Sequence, residues 1–133
     1  MPIRVLVCDD DSPIRNMVRD ILESLGAQVT EAKDGQEAIT LLMKENLDLL
    51  VIDFLMPKID GLQVIRTIRM SREKGKIPVV LMSAISRSQI LSASKNMGPD
   101  YYVNKPFRTK KMTKLLARLL RRIREQNQKN HVG

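Results

Sequence analysis

The chain has 133 residues, of which 43% are hydrophobic and 29% charged, and its formal net charge is +8 at pH 7. This length suits one domain with a single core, and the composition is ordinary for a globular protein. No apolar run approaches the roughly 20 residues that cross a bilayer, so no membrane insertion is expected. A single cysteine excludes an internal disulfide and favours the reducing cytoplasm as the location.

The positive charge is concentrated towards the C-terminal end of the chain. Residues 105–133 hold ten Lys and Arg against one Asp or Glu, whereas residues 1–104 hold 13 against 14. A charge bias of this kind bears on the choice of partners and on association rates rather than on the fold.

Five short strand patterns alternate with five helical patterns along the chain. Strands are predicted at residues 3–8, 27–31, 49–52, 77–82 and 101–103, and the third is a continuous apolar run typical of a strand buried on both faces. The intervening segments carry apolar residues at three- and four-residue spacing, which indicates helices with one buried face. This alternation predicts an α/β fold, a doubly wound parallel sheet of five strands with five helices, as in flavodoxin-like proteins.

Helix starts are predicted from short polar residues next to the helical patterns. Ser12, followed by Pro13, is predicted to cap the first helix, and Asp34, Asp60 and Ser86 are predicted to cap the second, third and fourth. The last helix is predicted from about Thr109. We assign residues 1–124 to one domain and expect residues 125–133 to form a polar tail that is disordered or begins a linker.

Polar residues stand at the ends of four of the predicted strands. Asp9 and Asp10 follow the first strand, Asp53 the third, Ser83 the fourth and Lys105 the fifth. In an open α/β sheet the carboxyl ends of parallel strands lie at one edge, where ligands bind. We therefore expect these five side chains to lie close together.

This set of side chains is typical of a phosphoryl-transfer site. Clustered carboxylates repel one another and stay ionised only beside positive charge, which a hard cation such as Mg²⁺ and a lysine ammonium supply. One carboxylate can then attack phosphorus while a hydroxyl and the lysine hold the transferred group. Singly, each residue also has a plain structural interpretation, as a helix cap, a strand-end serine or a solvated loop lysine; their coincidence at one edge favours a site.

Four stretches resemble the receiver domain of two-component response regulators, the CheY-like family. They are Val-Leu-Val-Cys-Asp-Asp-Asp-Ser at 5–12, Asp-Phe-Leu-Met-Pro-Lys-Ile-Asp-Gly at 53–61, Val-Val-Leu-Met-Ser-Ala at 79–84 and Tyr-Tyr-Val-Asn-Lys-Pro-Phe at 101–107. The resemblance covers about residues 2–122, and the stretches come in the family's order and spacing.

The resemblance implies a phosphorylation-controlled switch rather than an enzyme with a product of its own. Asp53 is then the phosphoacceptor, supplied by a phosphohistidine on a sensor histidine kinase or a phosphotransfer protein. Asp9, Asp10, Asp53 and the backbone carbonyl of Leu55 are then the ligands of Mg²⁺. The resemblance also implies that Lys105 pairs with the phosphoryl oxygens.

Two further positions of the resemblance concern the response to phosphorylation. Ser83 is expected to move towards the phosphoryl group, and Tyr102 is expected to be the switch aromatic that fills the space it leaves. Two positions depart from the family's common pattern, because Leu55 and Ile85 are apolar where many members carry polar residues. Both flank the expected path of an attacking water, so we expect slow self-dephosphorylation.

The last helix is predicted to carry a basic face opposite its apolar stripe. A charge run of this kind is usually a solvated face, and the alternative is a partner surface. The resemblance implies that the fourth helix, fifth strand and fifth helix form the output or dimer face. A downstream protein is expected there, with a phosphorylation-dependent dimer as a further option; direct nucleic-acid binding is not expected, since no aromatic interleaves the basic residues. The basic residues of this face are Lys110, Lys111, Lys114, Arg118, Arg121, Arg122 and Arg124.

Other function classes fit the sequence less well. A phosphatase of the dehalogenase type needs a second Asp two residues after the nucleophile, where this chain has Leu55. A flavodoxin-like cofactor binder needs a glycine- and hydroxyl-rich phosphate loop after the first strand, where this chain has three Asp. Within the switch class, the chain is expected to be a stand-alone receiver, the receiver half of a longer DNA-binding or enzymatic regulator, or a degenerate receiver that docks through its basic last helix.

Overall fold

The structure, a computed structural model, describes residues 2–95 and 97–132, except for the side chains of residues 131 and 132. Its strands are β1 (Arg4–Cys8), β2 (Gln28–Ala32), β3 (Leu49–Asp53), β4 (Val79–Ser83) and β5 (Tyr101–Asn104). Its helices are α1 (Ser12–Ser24), α2 (Gly35–Lys44), α3 (Gly61–Arg69), α4 (Arg87–Ser94) and α5 (Thr109–Val132). The strands form one parallel sheet in the order β2-β1-β3-β4-β5, which confirms the predicted fold class.

Both faces of the sheet are covered by helices, because alternate residues of each strand point to opposite sides. Val5, Val51 and Val80 pack in one core cluster with residues of α1 and α5, such as Leu22 and Leu116. The intervening strand residues belong to a second cluster built with α2, α3 and α4; they include Leu6, Leu50, Ile52 and Leu81. Burial on both faces explains why β3 is apolar throughout up to its final Asp.

The caps of three helices are as predicted, and the cap of the first is different. The side chains of Asp34, Asp60 and Ser86 accept hydrogen bonds from the backbone of the third residue along, at 2.8, 2.9 and 3.3 Å. The prediction that Ser12 caps α1 is wrong: Asp11 is the N-cap residue, with extended backbone, and Ser12 is already helical. Pro13 tolerates a place in the first turn because the amide it lacks has no helical acceptor there.

The last helix is longer than the sequence predicted. The expectation of disorder from residue 125 is wrong, since α5 continues to Val132, and the domain end predicted at residue 124 falls inside this helix. The packed first part of α5 supplies the helix nucleus, and the Glu, Gln and Lys that follow are good helix formers. Arg124 donates a hydrogen bond of 2.8 Å to the carbonyl of Leu25 and holds α5 against the end of α1.

The last helix, α5, is 24 residues long, and its exposed face is strongly basic. No helix within the described ranges, α5 included, combines the length and apolar character needed to cross a membrane.

Candidate functional site

The strand register brings the predicted site residues to one level of the sheet. Cys8 at the end of β1 pairs with Ile52, one residue before Asp53. Ser83 at the end of β4 pairs with Asn104, one residue before Lys105. The polar residues that follow these strands therefore meet at the carboxyl edge, as the sequence predicted.

Three carboxylates form the centre of the site. Asp9 is fully buried, Asp53 is buried and Asp10 is exposed. One carboxylate oxygen of each lies within 4.8 Å of the corresponding oxygens of the other two. Asp11, the next residue, lies outside this cluster, and its backbone amide donates a hydrogen bond of 2.9 Å to Oδ1 of Asp9.

Lys105 balances two of these charges. Its Nζ lies 3.0 Å from Oδ2 of Asp9 and 3.0 Å from Oδ1 of Asp53. Burial lowers the pKa of the ammonium, but the hydrogen bonds to Asp53 and Asp9 and the charges of both outweigh burial, so the pKa is raised. Lys105 is therefore held charged between the carboxylates.

Asp53 has an unusual affinity for protons. Burial raises its pKa from the ordinary 3.8 to about 6; the hydrogen bond from Lys105 opposes this rise, and the charges of Asp9 and Asp10 add to it. Near neutral pH the carboxylate is thus mostly ionised but lacks sufficient positive charge around it. An added cation at the cluster relieves that shortage.

The loop after Asp53 is held close to the strand by a glycine. The amide of Gly61 donates a hydrogen bond of 2.8 Å to the carbonyl of Phe54. A Cβ at Gly61 would collide with the carbonyl oxygen of Asp53 and would lie 3.0 Å from the Cα of Phe54. Only glycine allows the backbone to turn this closely past the site.

Ser83 is the last residue of β4, and Tyr102 lies on the neighbouring strand β5. Ser83 is buried, and its Oγ accepts a hydrogen bond of 2.9 Å from the amide of Ile85. Tyr102 is half-buried against the cluster shared by α2, α3 and α4, and its hydroxyl is buried without a hydrogen-bond partner in the described part of the chain. An unsatisfied buried hydroxyl costs about 1–3 kcal/mol, so this side chain gains from any rearrangement that offers an acceptor.

Leu55 and Ile85 are apolar and exposed, with relative accessibilities of 75% and 37%. They stand two residues beyond the buried Asp53 and Ser83. The expectation that both side chains flank the path of an attacking water stays a prediction.

Arg15 supports the site and was missed in the sequence. Its Nη1 donates a hydrogen bond of 2.7 Å to the carbonyl of Asp9, and its Nε lies 3.1 Å from Oε1 of Glu31 on β2. It therefore holds the end of β1 against α1 and β2. The one sign of this role in the sequence was the position of Arg15 in the first turn of the helix after the acidic end of β1. A residue that only supports the site has no reactive group of its own, so looking for catalytic or metal-binding residues does not find it.

The basic face predicted on the last helix is exposed at all seven positions. Among the hydrogen bonds of the described residues, two come from this face: Arg124 donates to the carbonyl of Leu25 at the end of α1, and Arg122 donates at 2.8 Å to the hydroxyl of Tyr101.

Comparison with known proteins decides the family. Residues 5–117 match the response regulator receiver domain. The chain belongs to this family. The receiver is similar to the response regulator MprA of Mycolicibacterium vanbaalenii, with 35% identity over 122 residues, which cover 92% of this chain and 52% of the relative. It thus spans about half the length of the curated relatives it matches.

Solved structures agree with the receiver fold. The chemotaxis response regulator CheY4 of Vibrio cholerae superimposes with a TM-score of 0.81 at 28% identity, over 89% of this chain and 98% of that one. The receiver domain of the sensor histidine kinase PA1611 of Pseudomonas aeruginosa has the same fold, with a TM-score of 0.78 at 23% identity over 90% and 98% of the two chains. The PA1611 receiver is described with a magnesium ion coordinated in its active-site cleft.

Proposed function

We propose that this receiver is a phosphorylation-controlled switch in which Asp53 accepts a phosphoryl group from a phosphohistidine. The donor is a sensor histidine kinase or a phosphotransfer protein. The observation that carries the proposal is the placement of Lys105 at 3.0 Å from both Asp53 and Asp9, inside a cluster of three carboxylates at the sheet edge. Family membership supports the same chemistry.

The carboxylate cluster fits Mg²⁺. Its donors are oxygen atoms that lie within 4.8 Å of one another. Burial, and after it the charges of Asp9 and Asp10, raise the pKa of Asp53, so its ionised form is stabilised by a nearby cation. Asp9, Asp10, Asp53 and the backbone carbonyl of Leu55 would hold the ion. When bound, the ion supplies positive charge that offsets the charge of the transferred phosphoryl group.

The protein groups have distinct parts in the transfer. A carboxylate oxygen of Asp53 forms a bond to phosphorus as the bond from phosphorus to the donor imidazole nitrogen breaks, and the electron pair returns to that nitrogen. Lys105 binds the oxygens of the transferred group. Because the pKa of Asp53 is about 6, the attacking carboxylate is ionised at neutral pH.

The response to phosphorylation passes through β4 and β5. The hydroxyl of Ser83 leaves the amide of Ile85 and donates to a phosphoryl oxygen, and Tyr102 shifts into the space that Ser83 vacates. These two moves change the surface formed by α4, β5 and α5, which is where a partner reads the phosphorylated state. Leu55 and Ile85 hinder the water that would hydrolyse the acyl phosphate, so the phosphorylated state is long-lived.

The output of the switch is a downstream protein partner. A transcriptional output is a proposal as well, supported by relatives named as probable transcriptional regulators, of which this chain spans about half. The signalling chemistry also agrees with a cytoplasmic location, which we propose on family grounds.

The test is intact mass after incubation with acetyl phosphate, a small phosphodonor. We expect one phosphoryl adduct that requires Mg²⁺ and is absent from Asp53→Asn. Asp10→Asn is expected to raise the Mg²⁺ concentration that supports the reaction. Asp11→Asn is the matched control, since this neighbour lies outside the cluster, and it is expected to behave as the wild type.

No adduct on the folded wild type would refute the proposal. The chain would then be a receiver that docks constitutively, for which the exposed basic face of α5 is the supporting observation. An adduct that persists in Asp53→Asn would place the acceptor elsewhere and would refute the assignment of Asp53.

A further inference from the structure

Arg15 holds the peptide group that joins two carboxylates of the site. Its Nη1 donates a hydrogen bond of 2.7 Å to the carbonyl oxygen of Asp9. That oxygen belongs to the peptide group between Asp9 and Asp10, and a peptide group is planar and rigid. A hydrogen bond to the oxygen therefore fixes the direction in which the backbone enters Asp10.

Asp10 is the carboxylate of the cluster that the other side chains hold least. Within the described ranges the ion pairs of Lys105 are with Asp9 and Asp53, and no side-chain hydrogen bond or ion pair reaches Asp10. One oxygen of Asp10 nevertheless lies within 4.8 Å of oxygens of both other carboxylates, whose charges repel it. The place of this exposed side chain in the cluster thus depends on its backbone.

Glu31 on β2 orients the guanidinium of Arg15. Nε of Arg15 lies 3.1 Å from Oε1 of Glu31, and the two side chains are only 19% and 31% exposed. The planar fork of Arg15 therefore connects β2 to the end of β1 through two different N–H groups. Because β1 and β2 are paired as far as Cys8 and Ala32, this anchor is fixed relative to the strand that leads to Asp9.

The helix that carries Arg15 gains nothing from its charge. Arg15 is the fourth residue of α1, and the first turn of this helix has no acidic residue. A positive charge near a helix N-terminus is disfavoured by the helix dipole. The benefit of this placement therefore lies in the hydrogen bond to Asp9 rather than in the stability of α1.

We propose that Arg15 is a positioning residue for the metal site: by holding the peptide between Asp9 and Asp10, it keeps the Asp10 carboxylate where it can share a Mg²⁺ ion with the other two. The inference rests on the proposed function for the identity of the ligands. Residues that orient metal ligands change metal affinity by about 10–100-fold when they are replaced, and we expect about tenfold here.

The charge of Arg15 acts in the opposite direction to its hydrogen bond. A nearby cation repels Mg²⁺, so removing a cation that acted by charge alone would tighten binding of the ion. Loss of a positioning hydrogen bond would weaken it. The sign of the change in Mg²⁺ affinity therefore distinguishes the two roles.

The experiment titrates the full chain with MgCl₂ and follows the amide signals of the site by ¹⁵N NMR. Arg15→Met removes the donors and is expected to raise the Kd for Mg²⁺ about tenfold. Arg15→Lys keeps the charge but not the planar fork and is expected to raise the Kd less. Arg19→Met is the matched control: it removes the same charge from α1 and also loses a contact with Glu31, at 3.3 Å, but in the described part of the chain Arg19 has no contact with Asp9. It is expected to keep the wild-type Kd.

Two double variants test the route from Arg15 to the ion. In an Asp10→Asn background, Arg15→Met is expected to change the Kd by less than about twofold, since the group that Arg15 positions is already altered. Glu31→Ala is expected to weaken Mg²⁺ binding when Arg15 is present and to have no further effect beside Arg15→Met. If Arg15→Met does not fold, Arg15→Lys and Glu31→Ala carry the test.

The acetyl phosphate reaction adds a readout that a purely structural role would not change. Arg15→Met is expected to raise the Mg²⁺ concentration for half-maximal adduct formation about tenfold and to leave the rate at saturating Mg²⁺ within about twofold of the wild type. A general loss of stability would instead lower the urea midpoint without Mg²⁺ and leave the Mg²⁺ dependence of the folded protein unchanged.

Several outcomes overturn the inference. They are an unchanged or lower Kd in Arg15→Met, equal weakening by Arg19→Met, an undiminished effect in the Asp10→Asn background, and a wild type that binds no Mg²⁺. The two proposals fail separately. Mg²⁺ binding that depends on Arg15 without an adduct on Asp53 refutes the switch and leaves the positioning role; an adduct whose Mg²⁺ dependence is the same in Arg15→Met refutes the positioning role alone.

Discussion

Replacing Asp53 with Asn is expected to stabilise the protein at neutral pH when no Mg²⁺ is present. The pKa of Asp53 is about 6 in the folded chain against an ordinary 3.8, so the folded state holds this proton more tightly than the unfolded state. Stability from this group is therefore fully present below about pH 4 and is lost as the pH rises through about 6. Above that pH the ionised carboxylate destabilises the fold.

The size of the effect follows from the two pKa values. Their difference corresponds to about 3 kcal/mol at about 1.36 kcal/mol per pKa unit, which is an upper bound. Solvent at the open face of the site screens the charges, so we expect Asp53→Asn to raise the free energy of unfolding by about 1–2 kcal/mol at pH 7.5. At pH 4 the gain falls towards zero, because the wild-type carboxyl is then neutral in the folded state.

The assay is urea denaturation followed by circular dichroism between pH 4 and pH 8 in EDTA. Glu73→Gln, which neutralises an exposed carboxylate in the turn after α3, is the control and is expected to show no such pH dependence. Adding Mg²⁺ at pH 7.5 is expected to stabilise the wild type more than Asp53→Asn, since an ion that binds only the folded state raises stability. A variant that is less stable than the wild type by the same amount at both pH values would refute the reasoning.

Four other predictions concern the loop, the site and the last helix. Leu55→Asn is expected to speed loss of the phosphoryl group about tenfold, which corresponds to about 1.4 kcal/mol less barrier, as followed by mass spectra over time. Met70→Asn, at an equally exposed position, is the control and is not expected to change the rate. A wild-type adduct that decays within seconds would contradict the premise. Burial, and after it the charge of Asp9, raises the pKa of the Cys8 thiol to about 12. Iodoacetamide is therefore expected to label Cys8 at pH 8 only as fast as the protein unfolds, and rapid labelling of the folded protein would contradict this. Gly61→Ala is expected to lower the free energy of unfolding by about 1–3 kcal/mol in urea, and an unchanged midpoint would show that the loop yields easily. Deleting residues 126–133 is expected to lower the helix content measured by circular dichroism. The urea midpoint is expected to shift little, because residues 126–130 are exposed. Unchanged helix content would contradict the extended α5.

The sheet and the meeting of the site residues were predictable because they follow from patterns local to each strand. An apolar run that ends in Asp53 requires a strand buried on both faces, and parallel strands then bring Asp9, Ser83 and Lys105 to the same edge. The direct contacts of Lys105 with both carboxylates agree with that expectation.

What the sequence did not predict depends on geometry between distant segments. Arg15 and Arg69 bind backbone carbonyls, which every residue possesses, so no sequence pattern marks their partners. The extension of α5 was missed because polar composition was taken as a sign of disorder, although a helix already nucleated by packing continues through good helix formers. The start of α1 differs by one residue, within the usual uncertainty of helix ends.

The length of α5 gives this fold a mechanical property. At 1.5 Å per residue its 24 residues make a rod of about 36 Å, which begins beside the carboxyl edge of the sheet and runs back past the opposite one. A tilt of about 5° at the Thr109 end displaces the far end by about 3 Å, on the scale of the helix shifts that switch other proteins. If α5 tilts as a rigid body, a small change near Lys105 becomes a displacement of this size at the exposed far end of the helix.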